Sequence, residues 1–244
     1  YVGREPRFYA SVAYNGSTWY LLNEPNDANK DKQIFYYRGG GNGYTNTMFW
    51  LRTGIGVMKF VHPDDTNRDE KEEYIRKKAE PAIRYAEILL IYAEALNELT
   101  GNYNIASWDE ETQYTIQRNI DEMKKGIQPI RIRAGIPDYT RSEYEDQDLF
   151  REKLKRERQI ELMGEGHRYY DIRRWKDAEV EESLPIYGCN TLMTEKWRDV
   201  FHVPVAIPSL PTNFSRKMYF WPISHSELKR NKMLTQNPGW TYND

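Results

Sequence analysis

The chain has 244 residues and a formal net charge of −2, from 35 basic and 37 acidic side chains. This near-balance lacks the basic surplus by which proteins hold phosphate backbones, so no nucleic acid is expected as a partner. A single cysteine, Cys189, excludes an internal disulfide framework and a zinc knuckle. The longest apolar run, Ile88 to Ala93, is far shorter than the ~20 residues that span a bilayer. The chain opens on Tyr1-Val2-Gly3-Arg4 without a secretory leader pattern, and this is expected to be a cut end.

Residues 1–70 read as strands and loops. Arg7 to Tyr14 is rich in β-formers and stops at the turn pair Asn15-Gly16. Gln33 to Arg38 and Leu51 to Val61 are further strand candidates. Between them Gly39-Gly40-Gly41-Asn42-Gly43 must be a loop, and it lacks the lysine-bearing pattern of a phosphate cradle. Rings crowd this region, in a chain with 19 Tyr and 7 Trp. Trp19 follows the first turn, Tyr36, Tyr37 and Tyr44 flank the glycines, and Trp50 follows them. If the glycines give the loop reach, these five rings are candidate ligand-binding residues, able to stack on the apolar face of a pyranose. The competing expectation folds them inward as core. Asp64, Asp65, Asn67 and Asp69 offer oxygen atoms but lack the glycine and terminal Glu of a calcium loop, so no metal is expected.

Residues 71–180 read as a helical scaffold. The spacing predicts a helix over Pro81 to Leu99, with Pro81 at its first position and Gly101 beyond its end. Arg84, Glu87, Glu94 and Glu98 form one narrow polar stripe, so most of the circumference should be buried. Ala82, Ala86 and Ala93 should let another helix approach closely. Ser107-Trp108-Asp109-Glu110 has the capping-box pattern and predicts a second helix, closed by Gly126, in an αα-hairpin. Ala134-Gly135-Ile136-Pro137 is a stop signal. A third helix is expected from Leu149 to Met163, an interruption at Gly164-Glu165-Gly166, and a fourth helix from His167 to Ala178. Residues 181–244 are irregular, since Pro185, Pro204, Pro208 and Pro211 exclude long helices. Ser224 to Glu227 predicts one short turn.

The densest constellation lies between Arg156 and Trp175. Glu157 and Glu161 are four apart, on the face that carries Phe150 and Leu154. Two carboxylates extending an apolar stripe need cations, and Arg168, Arg173 and Arg174 are the expected supply. With Arg158, His167 and Asp171 these residues are expected to form a structural ion-pair network. A di-metal site wants Glu-x-x-His, but the residue three before His167 is Gly164. No H-E-x-x-H or G-x-S-x-G pattern occurs, and His62, His167, His202 and His225 are scattered. No catalytic residue or cofactor is expected.

Several segments together resemble the SusD/RagB-like family. They are Arg84 to Glu98, Ile130 to Pro137, Glu157 to Glu161 with Glu165-Gly166-His167-Arg168, Asp171 and Arg173-Arg174-Trp175, then Trp221-Pro222-Ile223-Ser224, Glu227-Leu228 and Thr235 to Trp240. Glu5-Pro6-Arg7 is similar to the family's D-P-R strand start, with Glu in place of Asp. The resemblance implies a mainly α fold of tetratricopeptide-like helix hairpins with short strands and long irregular loops, corresponding to the C-terminal half of a member. It implies a surface lipoprotein of the Bacteroidetes outer membrane that captures oligosaccharides, sometimes peptides, and passes them to a SusC-like TonB-dependent transporter. The lipid-bearing N-terminal cysteine and the N-terminal half would lie outside this chain. Two alternatives stand beside it: a helical-hairpin interaction module without a small ligand, and a glycoside hydrolase, which needs two carboxylates facing one groove.

Overall fold

The computed structural model describes residues 1–20, 31–46, 48–62, 64–67, 73–79, 81–194, 199–208 and 213–241. Helices carry most of the regular structure: α1 (Pro6–Ser11), α2 (Tyr85–Asn97), α3 (Ile120–Arg133), α4 (Arg141–Glu145), α5 (Gln147–Glu161), α6 (His167–Arg174), α7 (Ala178–Glu181) and α8 (His225–Arg230). The strands are two to four residues long: β1 (Val12–Tyr14), β2 (Thr18–Tyr20), β3 (Asp31–Gln33), β4 (Ile55–Val57), β5 (Thr66–Asn67), β6 (Glu73–Tyr74), β7 (Tyr103–Ala106), β8 (Gln113–Ile116), β9 (Tyr187–Gly188) and β10 (Val205–Ala206). Among the described residues they form two-stranded ribbons only. The chain divides into two units, Tyr1–Ile34 with Gly56–His167, and Phe35–Ile55 with Arg168–Asp244.

The first unit is built on helix periodicity. Ala86, Leu90, Ala93 and Leu96 of α2 meet Met123, Ile127 and Ile130 of α3, with Tyr144, Phe150, Leu154 and Leu162 completing one buried cluster. Spacings of three and four put each set on one helix face. Helices α2 and α3 approach closely because Gly126 faces Ala93: a Cβ at Gly126 would lie 2.5 Å from the Leu89 carbonyl oxygen and 2.8 Å from the Ala93 Cβ. Gly126 is thus a crossing point inside α3, not the stop that its residue type suggests. Of the three alanines, Ala86 and Ala93 are buried and Ala82 is exposed.

Several local expectations are corrected. Arg7 to Tyr14 is not one strand: Pro6, with its fixed φ, opens the short α1, and only Val12–Tyr14 is extended. Helix α2 begins at Tyr85, after an extended Arg84, instead of at Pro81. Its outer face keeps Tyr85, Ile88, Ile91 and Tyr92 exposed, so burial is less complete than the narrow polar stripe implied. Ser107-Trp108-Asp109-Glu110 does not cap a helix. It forms the tip of the β7–β8 hairpin, where Ser107 N–H donates to the Thr112 carbonyl at 2.7 Å and Glu110 takes a φ of 63°. The short polar side chains that cap helices also close turns, so the pattern was ambiguous. The cap of α3 is Asn119, whose side-chain oxygen accepts from Glu122 N–H.

Two helix ends use the same device. At α3, Ile136 N–H donates to the Arg131 carbonyl and Gly135 N–H to that of Ile132, with Gly135 at φ 72°. At α6, Asp177 N–H donates to Ile172 and Lys176 N–H to Arg173, with Lys176 at φ 66°. The fourth helix therefore ends before Ala178, which opens α7. Gly164, at φ 78°, lies where α5 gives way to α6, and a Cβ there would press the Phe60 ring at 3.1 Å. No helix among the described residues is long and apolar enough to cross a membrane.

In an ordinary helix interior, replacing glycine by alanine gains about 1 kcal/mol. Gly126→Ala should instead cost about 1–3 kcal/mol, because the added methyl has no room against Leu89. Urea unfolding of the variant checks this, and a rise in the midpoint would contradict the close crossing.

Candidate functional site

The carboxylates of α5 lie on the stripe that buries Phe150 and Leu154: Glu157 is 2% and Glu161 4% exposed. An unpaired charge at such depth is prohibitive, so the neighbours decide whether the site exists at all. Arg7 Nη1 lies 2.7 Å from Glu157 Oε1 and 3.1 Å from Glu161 Oε2, while its other edge holds Glu5 at 2.7 and 3.0 Å. Arg131 Nη1 reaches Glu157 Oε2 at 2.6 Å, and the Tyr139 hydroxyl donates to the same oxygen at 3.2 Å. Arg84 Nη1 and Arg133 Nη2 both meet Glu161 Oε1, at 3.0 and 2.5 Å. Both oxygens of each carboxylate are therefore engaged.

The network continues past the end of α5. Arg84 holds Glu165 through two bonds of 2.7 Å. Lys59 Nζ donates to the carbonyls of Glu161 and Met163 at 2.8 and 3.2 Å, closing orphan acceptors at the helix C-terminus with a favourable charge. Burial works to raise the Glu161 carboxyl, but Arg133, Arg84 and Arg7 outweigh it and hold it below its ordinary value. At Glu165 burial is likewise overcome by Arg84 and Lys59. Burial and the adjacent Glu157 push the Tyr139 phenol up. A carboxylate ringed by guanidinium groups is a poor proton donor and a poor base, and this cluster joins helices.

The cations differ from those nearest in sequence. Arg7, Arg84, Arg131 and Arg133 serve Glu157 and Glu161, whereas Arg168 pairs with Glu181, Arg173 with Glu182 and Arg174 with Asp171. Helix α6 turns these arginines toward acids of its own unit, a choice sequence proximity could not reveal. His167 Nδ1 lies 3.5 Å from Glu87, and Arg158 Nη2 lies 3.9 Å from the same carboxylate. Asp64 and Asp65 receive Arg76 and Lys78.

The five candidate rings have different fates. Tyr36 and Tyr37 are 9% and 7% exposed and are buried within the second unit. The glycine segment does not reach outward either. It coils against its own backbone, with Gly40 N–H on Tyr37, Asn42 N–H on Phe35 and Gly43 N–H on Gly40. A Cβ at Gly43 would stand 2.0 Å from the Tyr37 oxygen, so the glycines supply compactness, not reach. Trp19 is half-buried in the first unit. Tyr44 and Trp50 remain together in the second unit as half-buried rings packed edge to face, 5.4 Å apart. Arg38 lies over Tyr44 at 5.3 Å and Arg52 over Trp50 at 5.9 Å.

This ring pair is held firmly. Asn46 Oδ1 accepts from the Met48 and Phe49 N–H groups at 2.9 and 3.0 Å, and Thr45 Oγ1 donates to the Phe49 carbonyl. Upstream, Arg38 N–H donates to Met193, and downstream Cys189 N–H donates to Thr53. A second aromatic patch in the same unit was not among the candidates. Tyr169 and Trp221 are nearly parallel at 6.5 Å, Tyr170 is edge-on to Tyr169, and Tyr170 and Trp221 are exposed. Arg173 lies over the Tyr169 ring at 3.5 Å. Its sequence signal was only a Tyr pair on α6 and a distant Trp, too far apart to be joined by eye.

Residues 1–240 match the model of the SusD family. The chain belongs to the SusD family. Among curated proteins, this SusD-family chain is 31% identical over 162 residues to SusD-like protein P2 of Formosa agariphila, covering 65% of the chain and 25% of that protein. Its fold superposes on BT4246 with a TM-score of 0.78 and 26% identity, over 98% of this chain and 37% of that one. A SusD-like protein (BF3747) of Bacteroides fragilis NCTC 9343 matches with a TM-score of 0.69 and 26% identity, over 98% and 40%. The chain thus spans about a quarter of its curated relative and under half of these structures. The mainly helical architecture is that of SusD-like proteins.

Two outcomes follow for the carboxylate cluster. Glu161→Gln leaves Arg84, Arg133 and Arg7 around a neutral amide and should cost about 3–5 kcal/mol in chemical denaturation. The Glu161 and Glu165 carboxyls are lowered on folding, so the folded state binds fewer protons than the unfolded chain in acid. Their stabilisation is complete above the ordinary carboxylate range, about pH 4–5, and is lost as pH falls through the lower folded values. A melting series from neutral to acid should decline there for the parent and less steeply for Glu165→Gln. A flat series would contradict the assignment.

Proposed function

We propose that this chain is part of a cell-surface binding protein that captures oligosaccharides, or peptides, and delivers them to a SusC-like TonB-dependent transporter in the outer membrane. The protein would be held there by a lipid on an N-terminal cysteine outside these 244 residues. Membership of the SusD family supports this reading, and the observation that carries it to a site is the Tyr44–Trp50 pair. Flat rings on a loop fixed at both ends provide what a pyranose face requires: apolar area with little entropy left to lose on binding. The proposed role is binding without turnover, in keeping with the Glu157 and Glu161 carboxylates being engaged by arginines.

The exposed apolar face of α2 favours an additional docking role. Tyr85, Ile88, Ile91 and Tyr92 would pack against the N-terminal half of the protein.

Calorimetry of the protein against a panel of oligosaccharides, with product analysis of the same mixtures, tests the main reading. Binding without release of reducing ends is expected. Trp50→Ala should weaken it about tenfold, the effect of roughly 1.4 kcal/mol, at an unchanged melting temperature. Newly formed reducing ends would overturn the binding-only role, and full affinity in Trp50→Ala would remove the ring pair from the site.

A further inference from the structure

The segment that carries the ring pair has an unusual charge. From Lys32 through Pro63 the sequence contains no aspartate or glutamate, although 37 of the 244 residues are acidic. Of the cations in that run, Lys59 is committed to Glu165 and the end of α5. Arg38 and Arg52 have no carboxylate partner among the described residues. Each instead lies against one ring of the pair.

The second aromatic patch provides the contrast. There the arginine against the ring, Arg173, is neutralised by Glu182 through contacts of 3.1 and 3.3 Å. The arrangement of an arginine on an aromatic face is the same, and the protein supplies the counter-charge itself. At Tyr44 and Trp50 no such carboxylate stands against either arginine among the described residues. Two planar forks of donors are left beside two rings, in a segment purged of competing anions. A guanidinium weakly hydrated by its contact with a ring still has edge donors matched to two oxygens of a carboxylate or a sulfate.

We propose that Arg38, Tyr44, Trp50 and Arg52 form a subsite for an anionic sugar, one carrying a carboxylate or a sulfate ester. The pyranose face stacks on the rings, and the anionic group is held by one or both guanidinium groups. This assignment rests on the proposal that the chain binds glycans. Because Arg38 is exposed, part of the attraction is screened by salt.

The test uses matched probes with the full protein of which this chain is part: oligogalacturonates and their carboxyl-reduced counterparts, sulfated carrageenan oligosaccharides and their desulfated counterparts, and a neutral panel. At least one anionic probe should bind about tenfold or more tightly than its neutral counterpart, equivalent to roughly 1.4 kcal/mol. The advantage should shrink on raising the salt, and whichever pair displays it identifies carboxylate or sulfate as the source. Arg38→Gln and Arg52→Gln should each remove much of that advantage, weakening the anionic probe more than its neutral counterpart, with the melting temperature in place. Trp50→Ala should weaken charged and neutral probes alike. Equal binding of charged and neutral probes, unmoved by either arginine variant, would overturn the anion preference and leave glycan binding standing. No binding by any probe would overturn both.

Discussion

The first unit depends on two buried carboxylates that must not be left alone. Glu157 and Glu161 occupy positions where the helix pattern calls for leucine, and their burial is tolerable only if cations arrive from elsewhere. Arg7 comes from 150 residues away. Arg84 comes from the residue before α2, and Arg131 and Arg133 from the last turn of α3. One electrostatic requirement on α5 therefore fixes the start of the chain, the entry of one helix and the exit of another. A purely apolar stripe would hold these elements by area alone and would accept more than one register. Charge with directional hydrogen bonds accepts far fewer.

The sequence carried one side of this arrangement. The stripe of Phe150, Leu154, Glu157 and Glu161 is a period-3.6 pattern, and the demand for cations follows from elementary electrostatics. The donors did not follow, because Arg168, Arg173 and Arg174 belong to the same dense stretch of the chain while the observed partners come near only after folding. Gly126 failed in a similar way. Its residue type suggests a helix end, and only the packing of α3 on α2 reveals a need for space. Helices with long, regular stripes were legible, as were the stops at Gly135 and Gly164. Short polar runs such as Ser107 to Glu110 were not, since the same hydrogen bonds serve a cap and a turn.

The ring residues divide along the same line. Nothing in Tyr36-Tyr37 distinguishes it from Tyr44 as a sequence, and the division into core and surface is made by the glycines that fold the segment back on itself. Tyr44 and Trp50 end half-exposed because the Asn46 turn holds them there. The Tyr169–Trp221 patch needed a contact between residues some fifty apart, which composition hints at and cannot assign. Buried charged groups hold helices together in this protein, and the charged groups beside the Tyr44 and Trp50 rings are those proposed to meet a ligand.

The central claim is that the Arg7–Glu157 contact is a coupling between distant elements and not a coincidence of the surface. A double-mutant cycle with Arg7→Met and Glu157→Met, followed by urea denaturation, measures that coupling directly. The double variant should be less destabilised than the two single changes summed, by at least ~1 kcal/mol. Single changes that add to within about 0.5 kcal/mol would contradict it.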